Sequence, residues 1–233
     1  DEQFKPVTMQ LKLRQDTNKL IEELMLLANK SVAEFVDKMK PRKPFIYRTH
    51  DEPSDAKLQD LKRFVAKFGY TLHIDDERSL RKSMNEISAA VEGKPEQDVV
   101  RTMCIRSMAK AVYTPNKPSH FGLDFEYYSH FTSPIRRYPD VIAHRLLHGY
   151  LHNQTMEQIC NWNLSQLDAA CKQSSKMEQT ASDAERASIK YKQAEWMESK
   201  IGQQFEGVIS GLTDWGIFVE IKEYKCEGLI RLN

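Results

Sequence analysis

His120-Phe-Gly-Leu-Asp-Phe-Glu-Tyr-Tyr-Ser-His130-Phe-Thr-Ser-Pro-Ile-Arg-Arg-Tyr-Pro-Asp140-Val-Ile-Ala-His-Arg-Leu146 carries more information than any other stretch of this 233-residue chain. Two arginines, Arg136 and Arg137, stand between Pro134 and Pro139, behind a run of aromatic residues and the hydroxyl pair Thr132-Ser133. Prolines fix their own φ and restrict the residue before them, so the guanidinium groups are held in place and do not sample freely. A planar guanidinium with paired donors matches the paired oxygens of a phosphate. A helix is expected to start near Pro139 and to aim free N–H groups and its positive dipole end at the same place. On the residues alone two readings stand. One is a phosphate grip for a nucleotide chain, which the aromatic and Thr-Ser flank favours. The other is a surface loop closed by one structural salt bridge.

Hydrophobic residues make up 40% of the chain and charged residues 29%, which predicts a packed core and argues against disorder. A formal net charge of +1 decides nothing about nucleic acid, because a local basic groove coexists readily with an acidic exterior. No stretch approaches eighteen apolar residues, so no membrane partner is expected. Cys104, Cys160, Cys171 and Cys226 lack metal-type pairing, and free thiols in a reducing, cytoplasmic setting are the expectation. The chain opens without Met and ends within a strand-like pattern, so a piece of a longer protein is expected.

Helical periodicity predicts a first helix over 17–39, with Ile21, Met25, Ala28, Val32, Phe35 and Val36 on its inward stripe. Phe45-Ile46-Tyr47 reads as a short strand, and further helices are expected over 54–68, 77–92 and 95–113. Residues 114–136 read as loop and strand, followed by a helix to about 152. A long helical pattern over 156–200 puts Leu167, Ala170, Ser174, Met177, Ala181, Ala184, Ala187, Tyr191, Ala194 and Met197 inward, a face of small residues suited to close packing. From Ile201 the period changes to two, with paired strands over 202–210 and 216–221 around Gly-Leu-Thr-Asp-Trp.

The string His-Phe-Thr-Ser-Pro-Ile-Arg-Arg-Tyr-Pro-Asp, followed by His-Arg, resembles the signature of the ribonuclease II family of processive 3′-to-5′ exoribonucleases, in its ribonuclease R-like branch. The resemblance implies an α+β fold: residues 1–200 are the largely helical C-terminal part of the catalytic (RNB) domain. In residues 201–233, Gly207, Trp215-Gly-Ile-Phe-Val219 and Glu227-Gly-Leu-Ile230 resemble the start of an OB-fold RNA-binding module of the ribosomal-protein S-one type. Only part of that barrel is present, so residues 202–233 are expected to be poorly ordered or paired with a neighbouring molecule.

Carried over by position, the resemblance gives Arg136 the role of gripping the scissile or a neighbouring phosphate, with Arg137, Tyr138, Asp140, His144 and Arg145 in support. Glu185, in Asp-Ala-Glu-Arg186, matches a glutamate near the active site. Glu22, or in the other register Glu23, matches a helix glutamate that contacts RNA. Trp215 and Phe218 match aromatics on the OB module's RNA face, and Arg231 stands where a histidine is usual. Without the resemblance, Glu185 and Glu22 are solvated helix residues and the two aromatics belong to the core of a small sheet. Arg136 and Glu185 are expected in one cleft, with Glu22 near its rim.

Such enzymes hydrolyse single-stranded RNA to nucleoside 5′-monophosphates with magnesium held by an aspartate cluster. No such cluster is found here. Asp75-Asp76-Glu77 reads as a helix start and Asp51-Glu52 as a turn, so the magnesium ligands are expected outside the chain, leaving it inactive alone, and the parent is expected to be monomeric. The rival reading is a catalytically dead RNA-binding protein that keeps the nuclease fold. His144, His148 and His152 recur at ligand-like spacing for zinc, but no Glu follows the first and no Cys or Asp partner is near, so His144 is read as part of the signature and the other two as surface residues.

Overall fold

The computed structural model describes residues 2, 4–10, 13–116 and 118–232. In chain order its elements are α1 (Asp16–Asp37), β1 (Tyr47–Thr49), α2 (Asp55–Ala66), α3 (Glu77–Ala90), α4 (Gln97–Ser107), β2 (Val112–Thr114), a 3-10 turn (Phe121–Leu123), α5 (Tyr138–Leu151), α6 (Met156–Cys160), α7 (Leu164–Glu198), β3 (Gly207–Thr213), β4 (Gly216–Ile221) and β5 (Glu227–Arg231). The fold is α+β, with two small antiparallel sheets among the helices. Two compact units divide the chain: Leu20–Lys176, and Asp1–Lys19 with Met177–Asn233.

The Leu20–Lys176 unit has two apolar cores. In one, Ala33 and Val36 of α1 meet Phe45, Ile46 and Tyr47, then Ile142, Ala143, Leu146 and Tyr150 of α5, and Leu167 and Cys171 of α7. In the other, Leu58, Leu61 and Val65 of α2 pack with Leu80, Met84 and Ile87 of α3 and Val100 of α4. Each large apolar side chain so buried contributes roughly 1.5–3 kcal/mol. Burial also pushes the Cys171 thiol up to about 12. Cys104, Cys160 and Cys226 are likewise free.

The inward stripe of α1 differs from the expected one. Ile21 and Phe35 are 56% and 49% exposed, whereas Asn29, Ala33 and Val36 are buried. Leu20, Leu24 and Leu27 are exposed as well, so α1 is apolar on two sides and periodicity alone does not choose between them. A polar residue, Asn29, marks the side that packs.

Helix α4 stops at Ser107, short of the expected 113. The Ser107 hydroxyl bonds back to the Cys104 carbonyl at 2.7 Å. Val112-Tyr-Thr then forms β2, antiparallel to β1 in the register Tyr47↔Thr114, as suits a β-branched and aromatic triplet. The expected long helix is broken at Asn161, which is left-handed at φ 54°. Asn163 restarts it, with its Oδ1 accepting from Gln166 N and its own N–H donating to Gln166 Oε1. Gly149 on α5 sits so close to Ile159 of α6 that a Cβ there would overlap it. Along α7 the expected inward face holds at Leu167 and Ser174, with Cys171 buried beside them, but Met177, Ala181, Ala184, Ala187, Tyr191 and Ala194 are exposed.

In the other unit, strands pair in the order β3-β4-β5, with a bulge in β3 between Ile209 and Gly211. Where poor order or pairing with a neighbouring molecule was expected, residues 207–231 form an antiparallel meander. The two-residue turn Asp214-Trp215 and continuous backbone pairing on both sides of β4 hold it together. Trp196 of α7 is 8% exposed and meets Tyr224 edge-on at 4.5 Å. The Cys226 thiol lies 3.8 Å from the Met9 sulfur.

Candidate nucleic-acid interface

The segment leading to the paired arginines lies along β1 without being a strand itself. Arg48 N–H donates to the Tyr128 carbonyl at 3.0 Å, and the buried Ser129 hydroxyl donates to the Ile46 carbonyl at 2.6 Å. Beyond it, three successive backbone N–H groups are taken by two buried side chains. Asn29 Oδ1 accepts from Phe131 N at 2.9 Å and from Thr132 N at 3.2 Å. Asp140 Oδ1 accepts from Ser133 N at 2.8 Å. The Ser133 carbonyl then accepts from the N–H groups of both Arg136 and Arg137, closing a turn whose tip is Pro134-Ile135-Arg136.

The two arginines face opposite ways. Arg137 precedes α5 as its N-cap residue, and its guanidinium donates to Asp140 Oδ1 at 2.8 Å. Asp140 is fully buried in the first turn of α5. The helix-start position expected to receive a phosphate therefore already holds an anion, the chain's own carboxylate. Arg136 is exposed and, among the described residues, its guanidinium has no partner. Arg137 thus closes a structural salt bridge, and Arg136 is presented outward. Ile135 beside it is fully exposed and Tyr138 is 52% exposed.

Arginine charges act on the buried histidines behind the tip. His130 is held down to about 2, first by burial and then by the charges of Arg137, Arg48, His120 and Arg136. Its neutral Nδ1 lies 2.8 Å from the Tyr113 hydroxyl, and the Arg48 guanidinium lies over the Tyr113 ring at 4.6 Å. His120 is held down to about 4 by burial, then by His50 and Arg48, and stacks on His50 at 4.9 Å. Among the described residues four buried side-chain atoms lack a partner: His120 Nδ1, Thr132 Oγ1, Arg137 Nε and Asp140 Oδ2. Three of the four fall within Thr132–Asp140.

Support comes from some expected residues and not from others. His144 stacks flat on Phe131 at 3.8 Å, with Nε2 2.8 Å from the Phe131 carbonyl. His152 turns its Nδ1 to the His148 carbonyl, so the three histidines of the zinc spacing do not converge. Arg145 is exposed on α5. Asn29 was missed by sequence reasoning, although it ends the Ile21-Glu-Glu-Leu-Met-Leu-Leu-Ala-Asn29 run in which Glu22 was singled out. Its signal was an amide one turn before Ala33 on the side of the helix that also carries Val36. Glu22 lies two turns before Asn29 on the same face and is half-buried, whereas Glu23 is exposed on the far side.

Glu185 belongs to the other unit. It is exposed and has no partner among the described residues, since Arg186 pairs with Asp183 at 3.8 Å and Lys190 with Glu227 at 4.0 Å. In the same unit Trp215 is 57% exposed and its ring meets Phe218 edge-on at 5.8 Å. The pairs Phe218↔Leu229 and Gly216↔Arg231 put Phe218 and Arg231 on one face of the sheet. The three residues expected to contact RNA through this module therefore lie together.

Asp76 caps α3, accepting from Arg78 N and Ser79 N at 2.9 Å, and no group of three His, Cys, Asp or Glu side chains converges among the described residues. No described helix is long and apolar enough to cross a membrane.

The RNB domain family matches residues 1–153, which include the whole Thr132–Asp140 turn. The chain belongs to the RNB-domain family. It is 37% identical over all 233 residues to ribonuclease R of Aquifex aeolicus, of which it covers 32%. Its RNB fold is similar to Mycoplasma genitalium RNase R, solved in complex with ribose-methylated single-stranded RNA, with a TM-score of 0.86, 30% identity and coverage of 99% of this chain and 36% of that one. A yeast pseudonuclease shares the fold at a TM-score of 0.76 and 20% identity, covering 94% of this chain and 27% of that one. The chain spans less than a third of the length of the curated relatives named first.

Proposed function

We propose that this chain supplies the RNA-gripping part of a 3′-to-5′ exoribonuclease that hydrolyses single-stranded RNA to nucleoside 5′-monophosphates. The observation that carries the reading is the outward-facing guanidinium of Arg136, without a partner among the described residues, on a turn whose backbone is fixed from both sides. A guanidinium held this way is ready for a phosphodiester and, in the reaction, for the charge that develops on it. Glu185 and Glu22 are the further candidates at the scissile end, and Trp215, Phe218 and Arg231 offer stacking and cationic contacts to the strand. Magnesium, when bound, activates the attacking water, and its ligands belong to residues other than those described.

The test uses a 3′-labelled single-stranded RNA with magnesium. The 233-residue chain alone is expected to bind it and leave it uncleaved. The full-length protein is expected to release mononucleotides, and Arg136→Ala to lower that rate by about 10²–10³. Arg136→Lys is expected to fail substantially, because a point charge lacks the fork geometry. Full rate in Arg136→Lys would overturn the phosphate grip. Full-length protein that binds RNA without cleaving it would favour the RNA-binding protein instead.

A further inference from the structure

We propose that Asn29 is a positioning residue that couples α1 to Arg136, setting the register between the helix bearing Glu22 and the arginine-bearing turn. The inference rests on the phosphate-grip reading of Arg136. Asn29 is 3% exposed, yet it is the polar residue in the stripe that α1 turns inward. Its carbonyl oxygen accepts from two consecutive N–H groups, those of Phe131 and Thr132, more than 100 residues away in sequence. Its amide nitrogen lies 3.3 Å from the Tyr128 hydroxyl as a donor. A buried carboxamide that is satisfied at both ends fixes one geometry, because leaving either backbone N–H unmade in the interior costs more than the bond gains.

Sequence position makes this more than local packing. Glu22 precedes Asn29 by two turns, about 10 Å along the axis on the same face. Arg136 follows Thr132 across a turn held at its other side by Asp140. Asn29 is therefore the hydrogen-bonded link that fixes where the turn sits along α1. Without it, the turn keeps its Asp140 anchor but loses its register on the helix.

Binding of a fluorescein-labelled single-stranded oligoadenylate to the 233-residue chain, followed by anisotropy at low salt, tests the coupling. Arg136→Ala and Asn29→Leu are each expected to weaken binding about tenfold, the scale of one charge-assisted contact. The double variant is expected to be no weaker than either single one, because both remove the same contact. Asn29→Asp retains an oxygen for both N–H groups and is expected to keep affinity within about threefold, a rescue that loss of packing does not give. Asn29→Ser, too short to reach the turn, replaces Asn29→Leu if the latter does not fold. Losses that multiply in the double variant would overturn the coupling and leave the phosphate grip standing. An Arg136→Ala chain that binds as tightly as the parent would overturn both.

Discussion

Arg136 and Arg137 are neighbours of one residue type, and the difference between them is a matter of direction. Arg137 is spent on Asp140, whose carboxylate has no exposure to water. Asp140→Ala is expected to cost about 3–5 kcal/mol of stability, because it leaves a largely buried guanidinium and the Ser133 N–H without their acceptor. Arg136→Ala is expected to change stability by no more than about 0.5 kcal/mol, as for a surface residue with no partner. Urea midpoints of the two variants check the contrast, and a large loss in Arg136→Ala would reverse the assignment. The sequence showed that something between the two prolines is held rigid. It did not show which guanidinium was held inward, since that depends on a carboxylate three residues on, in a helix turn that only the fold orients. Asn29 was missed for a related reason: its carbonyl oxygen is taken by two backbone N–H groups, which leave no trace in residue identity.

At the scale of elements, helix existence was legible and helix partners were not. The small-residue face of α7 was read as inward along its whole length, but period three-and-four spacing defines a face without saying what covers it. Only the first three turns find the α5 and β1 core. Further along, it is Trp196, off the expected stripe, that is buried, against Tyr224. Trp196→Ala is expected to cost about 3–5 kcal/mol, the scale for removing a buried aromatic. Trp215→Ala, in an exposed turn, is expected to cost less than about 1 kcal/mol while lowering RNA affinity. Denaturation of both variants, followed by intrinsic fluorescence, measures the difference. In α1 the two apolar sides made the stripe ambiguous, and hydrogen bonding to the 131–132 backbone settled it.

For the molecule as a whole, acid sensitivity is concentrated in the unit that carries the paired arginines. His120 and His130 are held down to about 4 and about 2, against an ordinary value of 6.5. Between 6.5 and those values the unfolded chain binds more protons than the folded one. Their contribution to stability is therefore complete above pH 6.5 and falls as pH drops through 6.5, down to about 4 for His120 and about 2 for His130. Each group gives a slope of at most about 1.4 kcal/mol per pH unit. His120→Phe, which preserves an aromatic ring against His50 and Tyr128, is expected to flatten the fall in urea midpoint between pH 6.5 and 4. An unchanged slope would show that His120 does not stay neutral in the folded chain.

The carboxylate that fills the start of α5 also fixes how many counterions this turn displaces from RNA. Arg137 and the helix end are already neutralised by Asp140, so only Arg136 contributes a cation that is new to the polyanion. For a single strand, each neutralised phosphate adds about 0.7 to the slope of log affinity against log salt concentration. Arg136→Ala should therefore reduce that slope by about 0.7 in a salt titration. In a folded Asp140→Asn variant the slope should stay close to the parent's, because Arg137 lies inward, away from the face that Arg136 presents.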